Sequence, residues 1–555
     1  MKKIVIVVSA LLLVGCNTLI SPEDKSIPLA ETQMPFVWEA ANIYFLLTDR
    51  FNNADPSNDV NFGRTLETAK LRGFEGGDLK GVTQKIKEGY FNELGINAIW
   101  MTPVVEQIHG ATNEGTGNTY GFHGYWTKDW TSIDPNYGTA EDLKELVNAA
   151  HEKGIRILLD AVINHTGPVT DADPLWPEEW VRNDTACTYQ NYETTVTCTL
   201  VENLPDIRTE SNEEVELPLH LVEKWKAEGR YEEEVEELDA FFERTGHPRA
   251  PRFYIMKWLA DYITDYGIDG YRVDTVKHTE EYVWQEFKAV CDFAFSDYKK
   301  NHPEKVLDNN GFYLLGEVYN YGISSGQYFD FGNKKVNYFD EAFNSLINFE
   351  FKWNAKEMDN EALFSKMDTV LNGDLAGYGT VNYLSSHDDG QPFDAAREKP
   401  FETATKLLLS PGTSQVYYGD ETARSLVIPG TQGDATLRSF MNWEGINSGE
   451  STKKVLSHWQ KLGQFRAAHP SVGAGDHKLI TVAPYYFSRI YKDENLTDAV
   501  VIGLDVPAGR KVVPVSTVFK EGEKIQDAYS GISAEVKDGK VVINSENTIV
   551  LLERI

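Results

Sequence analysis

Positive charge is in short supply in this chain. Lys and Arg number 53 against 85 Asp and Glu in 555 residues, a formal charge of −32, so most of the surface would repel a polyanion and nucleic-acid work is not expected. Most of the surplus acids would simply keep a solvated surface soluble. Cysteine is rarer still, with four residues, and the chain is far too long for a small stapled scaffold. Beyond the N-terminus no apolar run approaches the ~18 residues of a membrane-spanning helix, so no transmembrane helix is expected in the mature protein. Low-complexity tracts and solenoid repeats are missing too. What is present, 41% hydrophobic and 12% aromatic residues, can bury a sizeable core in a chain worth about three domains.

The N-terminus carries an export signal. Lys2 and Lys3 precede an apolar run from Ile4 to Gly15, short for a membrane span and suited to a signal-peptide core. Leu13-Val14-Gly15-Cys16 resembles a bacterial lipobox, which implies a lipoprotein signal peptide over 1–15, cleavage before Cys16 and lipidation of its thiol. Asn17 in the next position favours the outer membrane, facing the periplasm or the cell surface. A linker over 16–37 follows. Cys187 and Cys198 lie in a segment rich in Thr, Tyr and Asn; export permits them to form a disulfide, stabilising by about 3 kcal/mol on the chain-entropy model. Cys291 recurs with Trp284 and Phe287 at helical spacing and is expected to be a buried, inert thiol.

From Ile43 to Glu421, short apolar runs alternate with longer amphipathic segments, the pattern of βα units around a parallel sheet. Eight strands are predicted: 43–47, 98–102, 156–160, 270–274, 313–317, 346–349, 381–384 and 415–418. They suit an α/β fold, a (β/α)8 TIM barrel spanning 38–166 and 253–468. The repeat stops over 167–252, an inserted subdomain carrying the cysteine pair and an acidic helix-like stretch at 232–244. Over 469–555, alternating runs separated by Gly, Asp and Asn predict an antiparallel β-sandwich.

Barrel enzymes carry their active residues at the C-terminal ends of strands. Here the fourth strand ends in Arg272-Val273-Asp274, the fifth in Gly316-Glu317 and the seventh run leads to His387-Asp388, while the third ends in Asp160 with Asn164 and His165 beyond. Carboxylates from different strands thus converge on one mouth. GIDGYRVDTVKH (267–278), DAVINH (160–165), GFYLLGEV (311–318) and YLSSHD (383–388) resemble the four signature segments of the α-amylase family. LPDIRTE (204–210) is similar to its inserted-domain motif and QVYYGDE (415–421) to its eighth-strand motif, and the set looks most like the periplasmic, disulfide-containing bacterial α-amylases. Ser386 departs from the pattern, since many members carry Asn there.

The resemblance implies a retaining endo-hydrolase of α-1,4-glucosidic bonds in starch, glycogen or maltooligosaccharides. Retention needs two carboxyl groups about 5 to 5.5 Å apart, one ionised and one protonated. Asp274 fits the nucleophile, held ionised by Arg272 on the same side of the strand, and Glu317 fits the acid, its pKa raised by crowding from Asp274 and Asp388. By resemblance Asp388 binds sugar hydroxyls and steadies the transition state, and His165 and His387 hydrogen-bond the same ring. His123, Tyr125 and Trp126, after the second strand, supply aromatic and polar contacts, with Tyr125 stacking beside the scissile bond; Lys277 and His278 resemble contacts on the leaving-group side. Two calcium sites of oxygen donors are implied. Asn53, Asp55, Asn58, Asp59, Asp78 and the Gly76 carbonyl form the first; Asn164, Asp206 and the His278 carbonyl form the second, tying the subdomain to the barrel. A monomer is expected. The same intermediate would also serve a transglycosylase or cyclodextrin-acting relative. A non-catalytic glucan-binding lipoprotein would have lost a catalytic carboxylate, and a solute-binding lipoprotein would not need three.

Overall fold

In the computed structural model, residues 34–183, 185–494 and 496–555 are described; the predicted signal peptide, Cys16 and most of the predicted linker lie outside them. Eight parallel strands close into a barrel: β1 (Asn42–Leu46), β2 (Ala98–Met101), β3 (Arg156–Ala161), β4 (Gly270–Val273), β5 (Tyr313–Gly316), β6 (Ser345–Asn348), β7 (Gly379–Tyr383) and β8 (Thr413–Tyr417), with β8 pairing back onto β1. Every predicted strand overlaps an observed one. The strands are buried along their whole length, as in β1, β2 and β3, which is why they read as near-continuous apolar runs.

Register places the polar strand ends side by side. Arg272 stands opposite Asp160 on β3 and Leu315 on β5. The ladder runs on past the strands, with the Asp274 N–H donating to the Ala161 carbonyl and the Glu317 N–H to the Val273 carbonyl, each at 3.0 Å. Residues two apart along a strand share a face, so Arg272 and Asp274 enter the mouth together.

Between β3 and β4, residues 167–252 contribute a ribbon pairing Val181–Arg182 with Asp206–Ile207, the Cys187–Cys198 disulfide, and helices Leu219–Glu228 and Tyr231–Thr245. Tryptophans join this insertion to the barrel. Trp176, Trp180 and Trp225 pack with Trp130 and Trp258, neighbouring ring centroids lying 5.3–6.3 Å apart. The helix Glu281–Asn301 buries Trp284, Phe287 and Cys291 on one face, and burial pushes the unpaired Cys291 thiol up. Among the described residues no helix is long and apolar enough to cross a membrane.

The C-terminal strands are β9 (Asp476–Thr481), β10 (Tyr485–Lys492), β11 (Thr497–Leu504), β12 (Gly509–Pro514), β13 (Lys524–Asp527), β14 (Ile532–Glu535), β15 (Lys540–Ser545) and β16 (Val550–Arg554). Six of them form an antiparallel sheet in the order β9-β10-β11-β16-β13-β14, with β12 and β15 as a separate ribbon. The second layer of the predicted sandwich is therefore only two strands wide. The reason lies in β11, which is apolar on both faces: Val500 and Ile502 join the barrel's core, while Val501 joins Val513 and Ile543 of the ribbon in a second core. With alternate side chains committed to opposite faces, the barrel itself covers one side of the sheet.

Candidate active site

Arg272, 1% exposed, is a charge that burial would penalise heavily without partners. Its Nη1 lies 2.9 Å from Asp160 and 2.7 Å from Asp274, and its Nη2 lies 3.1 Å from Glu317. Three carboxyl groups on one guanidinium leave the cluster short of positive charge. Burial is the leading reason that the Glu317 acid is pushed up to about 8; Arg272 opposes it, and Asp274 and Asp388 push it further. Desolvation in the mouth thus outweighs the crowding on which the sequence expectation relied. Asp160 is raised by burial in the same way, and it accepts hydrogen bonds from Trp100 Nε1 at 3.1 Å and the Tyr125 hydroxyl at 2.8 Å. It positions both Arg272 and Tyr125.

Backbone strain serves the same pair of acids. Thr275, directly after Asp274, adopts φ +48°, a costly left-handed conformation for a β-branched residue. The kink aims its N–H at Glu317 Oε2, 2.9 Å away, which fixes one oxygen of the acid. The Asp388 side chain is 35% exposed and accepts from Ser386 Oγ at 3.2 Å, so the serine that departs from the family pattern is in contact with it. Ser385 Oγ donates to Asp420 at 2.6 Å, Asp420 pairs with Arg397, and Arg438 Nε donates to the His387 carbonyl at 2.9 Å. These bonds hold the His387-Asp388 loop.

The Tyr125 ring lies nearly parallel to that of His387 at 5.4 Å, with His123 at 5.7 Å on its own loop. His165 Nε2 donates to the Tyr125 carbonyl at 3.1 Å, leaving its buried Nδ1 without a partner. Burial lowers the pKa of His123, His165 and His387, so all three are neutral imidazoles at pH 7. Trp126 packs against Ile108 and Leu204 with an edge on the cleft. Lys277 Nζ donates to the Tyr319 carbonyl at 3.1 Å, and His278 Nδ1 donates to the Thr195 carbonyl, also at 3.1 Å, in the disulfide-bearing segment. Together with Asp274, Glu317 and Asp388, these side chains line one cleft of about 680 Å³. Arg72, Glu114, Tyr189, Tyr319 and Asp434 line it too and were missed in the sequence. They sit on long loops, where only a concentration of charged and aromatic residues could have pointed to them.

The two predicted cation sites differ. In the first, Asn53 and Asn58 each bury an Oδ1 without a partner. Gly76, at φ +89°, approaches so closely that a Cβ would lie 2.5 Å from Asn53 Nδ2 and 2.6 Å from Asp59 Oδ1. Asp59 Oδ1 accepts from Asn53 Nδ2 at 2.9 Å, and two buried, unpartnered amide oxygens on the same loop suit a hard cation such as calcium. Asp78 turns to the N–H groups of Ala54, Asp55 and Gly81 instead, and Asp55 pairs with Lys80 at 2.6 Å. In the second, Asn164 adjoins Asp206. Asp206 Oδ1 and Asn164 Nδ2 are buried with no partner beyond the contact between these two side chains, while Asp206 Oδ2 lies 3.0 Å from Arg182 Nε. Thr279 Oγ1 donates to Asn164 Oδ1 at 3.4 Å, bringing the chain at His278 close to the pair. Among the described residues no three His, Cys, Asp or Glu side chains converge as metal ligands.

The family described as Alpha amylase, catalytic domain, matches residues 45–461. The periplasmic alpha-amylase of Escherichia coli (strain K12) is 35% identical over 526 residues, 84% of this chain and 72% of its own length. A cyclomaltodextrin glucanotransferase of Bacillus sp. (strain 1011) is 27% identical over 458 residues, 78% of this chain and 55% of its own length. The crystal structure of an alpha-amylase from Geobacillus thermoleovorans, complexed with acarbose, superposes with a TM-score of 0.64 at 22% identity, over 94% of this chain and 100% of that one. That last likeness is one of fold.

Proposed function

Because the chain belongs to the α-amylase family, we propose that it hydrolyses internal α-1,4 bonds of starch, glycogen or maltooligosaccharides with net retention, through the residues of the barrel mouth. The carrying observation is that one guanidinium holds both Asp274 and Glu317 while burial pushes Glu317 up to about 8. Asp274, paired with Arg272 at 2.7 Å, attacks the anomeric carbon. Glu317, protonated at neutral pH, gives its proton to the leaving glycosidic oxygen, then takes a proton from the water that cleaves the glycosyl-enzyme. Asp388, with His165 and His387, engages the hydroxyls of the reacting sugar. Tyr125 and His123 support that ring, with Trp126 at their edge, and Lys277 and His278 contact the leaving side.

Asn53, Asn58, Asp59 and the Gly76 carbonyl would hold one calcium ion, with Asp55 and Asp78 shaping its loop, and Asn164, Asp206 and the His278 carbonyl a second. A bound calcium ion would supply fixed charge that braces these loops, not a reacting group. The working division is a barrel over 38–166 and 253–468, a subdomain over 167–252 and a β-domain over 469–555. In this reading the enzyme is an exported monomer, anchored through Cys16 to the outer membrane. The glucanotransferase likeness supports one rival, transfer of the glycosyl group to a sugar hydroxyl. Time-resolved product analysis from soluble starch and a maltooligosaccharide, for the wild type beside Glu317→Gln, decides between them. Short linear α-products abolished by the substitution establish the hydrolase, whereas cyclic or lengthened products establish the transferase.

A further inference from the structure

Asp206 faces two claims on one carboxylate. Its Oδ2 lies 3.0 Å from Arg182 Nε, and the two side chains are only 2% and 9% exposed, so water screens their interaction little. Its Oδ1 is buried, with no partner beyond the adjoining Asn164 side chain. Arg182 is not free to swing away. It stands directly opposite Asp206 in the ribbon that pairs Val181–Arg182 with Asp206–Ile207, and its guanidinium is also paired with Glu210. A divalent cation against Oδ1 would therefore share the carboxylate with a fixed like charge, and the two would repel. At the first site the competing contact is a screened one: Lys80 pairs with Asp55, one of the predicted donors, at 2.6 Å, but the two side chains are 47% and 25% exposed, so water weakens the repulsion.

We propose that Arg182 shares Asp206 with the bound cation, making the site at Asn164 and Asp206 the weaker and exchangeable of the two, with the guanidinium holding the two strands of the ribbon together when the metal leaves. This rests on the calcium reading above. The test is titration of chelator-stripped full-length protein with calcium chloride by isothermal calorimetry at pH 7. Two classes of site are expected, at least tenfold apart in Kd, with Asn53→Ala abolishing the tighter. Arg182→Gln should tighten the weaker class at least tenfold and leave the tighter unchanged, whereas Arg182→Lys, which keeps the charge, should not tighten it. If Arg182→Gln folds only with calcium present, its melting midpoint against calcium concentration reads the same affinity and must rise more steeply than the wild type's. An unchanged or loosened weak class, or two equal classes in the wild type, overturns the proposal. Absence of any calcium binding refutes the calcium reading itself and is thereby distinguished from a failure at Arg182.

Discussion

At the barrel mouth, Asp160, Asp274 and Glu317 share one guanidinium, and Asp388 adds a fourth carboxylate nearby. At the joint between the barrel and the C-terminal sheet, His469 sits between Asp498 at 2.9 Å and Glu553 at 2.8 Å, and the Ser471 N–H donates to Asp498 at 3.0 Å. Burial pulls the imidazole down, but the hydrogen bonds to its two carboxylates outweigh it and lift His469 to about 9. Both clusters are buried and acidic. The joint satisfies its charges and gains cohesion from them, whereas the mouth leaves its charges unbalanced, which keeps one acid protonated for chemistry.

The contrast is broken or sharpened most strongly by Glu317→Gln. Loss of a general acid should cut kcat about 10²- to 10⁴-fold, with melting unchanged or raised because an ill-solvated acid has gone. A melting loss as large as that of a joint variant would break the contrast. His469→Gln should do the reverse, sparing kcat while weakening the fold. The folded-state pKa is raised above the ordinary 6.5 to about 9, so the clamp's contribution, about 3 kcal/mol, is fully present below pH 6.5 and lost as pH rises through about 9. Denaturant unfolding should separate variant from wild type at pH 6 and bring them together near pH 10.

Chelation should act on the mouth side alone, costing about 2–3 kcal/mol if calcium is normally near a hundredfold over its Kd. Hydrogen exchange should then quicken over 53–78 and not over 469–475. The smallest effect is on pH dependence: kcat/KM should fall above about pH 8 as Glu317 ionises, and Asp388→Asn, which removes one raising charge, should move that limb downward by less than about one unit, within the reach of a single neighbouring charge. An unmoved limb would mean that Asp388 adds nothing to the push of burial and Asp274 on the acid.

Much of this was legible beforehand for a physical reason. Parallel barrel strands are buried on both faces, so β1, β2, β3 and β5 announce themselves as apolar runs, the polar-flanked β6, β7 and β8 carry shorter ones, and the residues that end them follow. What stayed hidden depends on contacts between distant loops. Nothing local to Arg72 indicates Glu114 or Asp434, which it meets at 3.3 and 2.8 Å. Likewise Arg182 carries no mark of Asp206 across a two-residue ribbon, and the dominance of burial over crowding at Glu317 needs the closed mouth. The narrow outer layer of the C-terminal sheet was hidden because alternation along β11 shows that both faces are buried without showing what covers each.

The tryptophan chain between insertion and barrel makes that joint visible to light. Trp176, Trp180 and Trp225 belong to one side and Trp130 and Trp258 to the other, with neighbouring centroids within 6.3 Å. Indoles that close exchange excitation and couple their transitions, so five of the twelve tryptophans report on this one interface in the native near-ultraviolet dichroism and emission. Any opening of the insertion away from the barrel would uncouple the rings, and would register in an unlabelled sample before the barrel itself had changed.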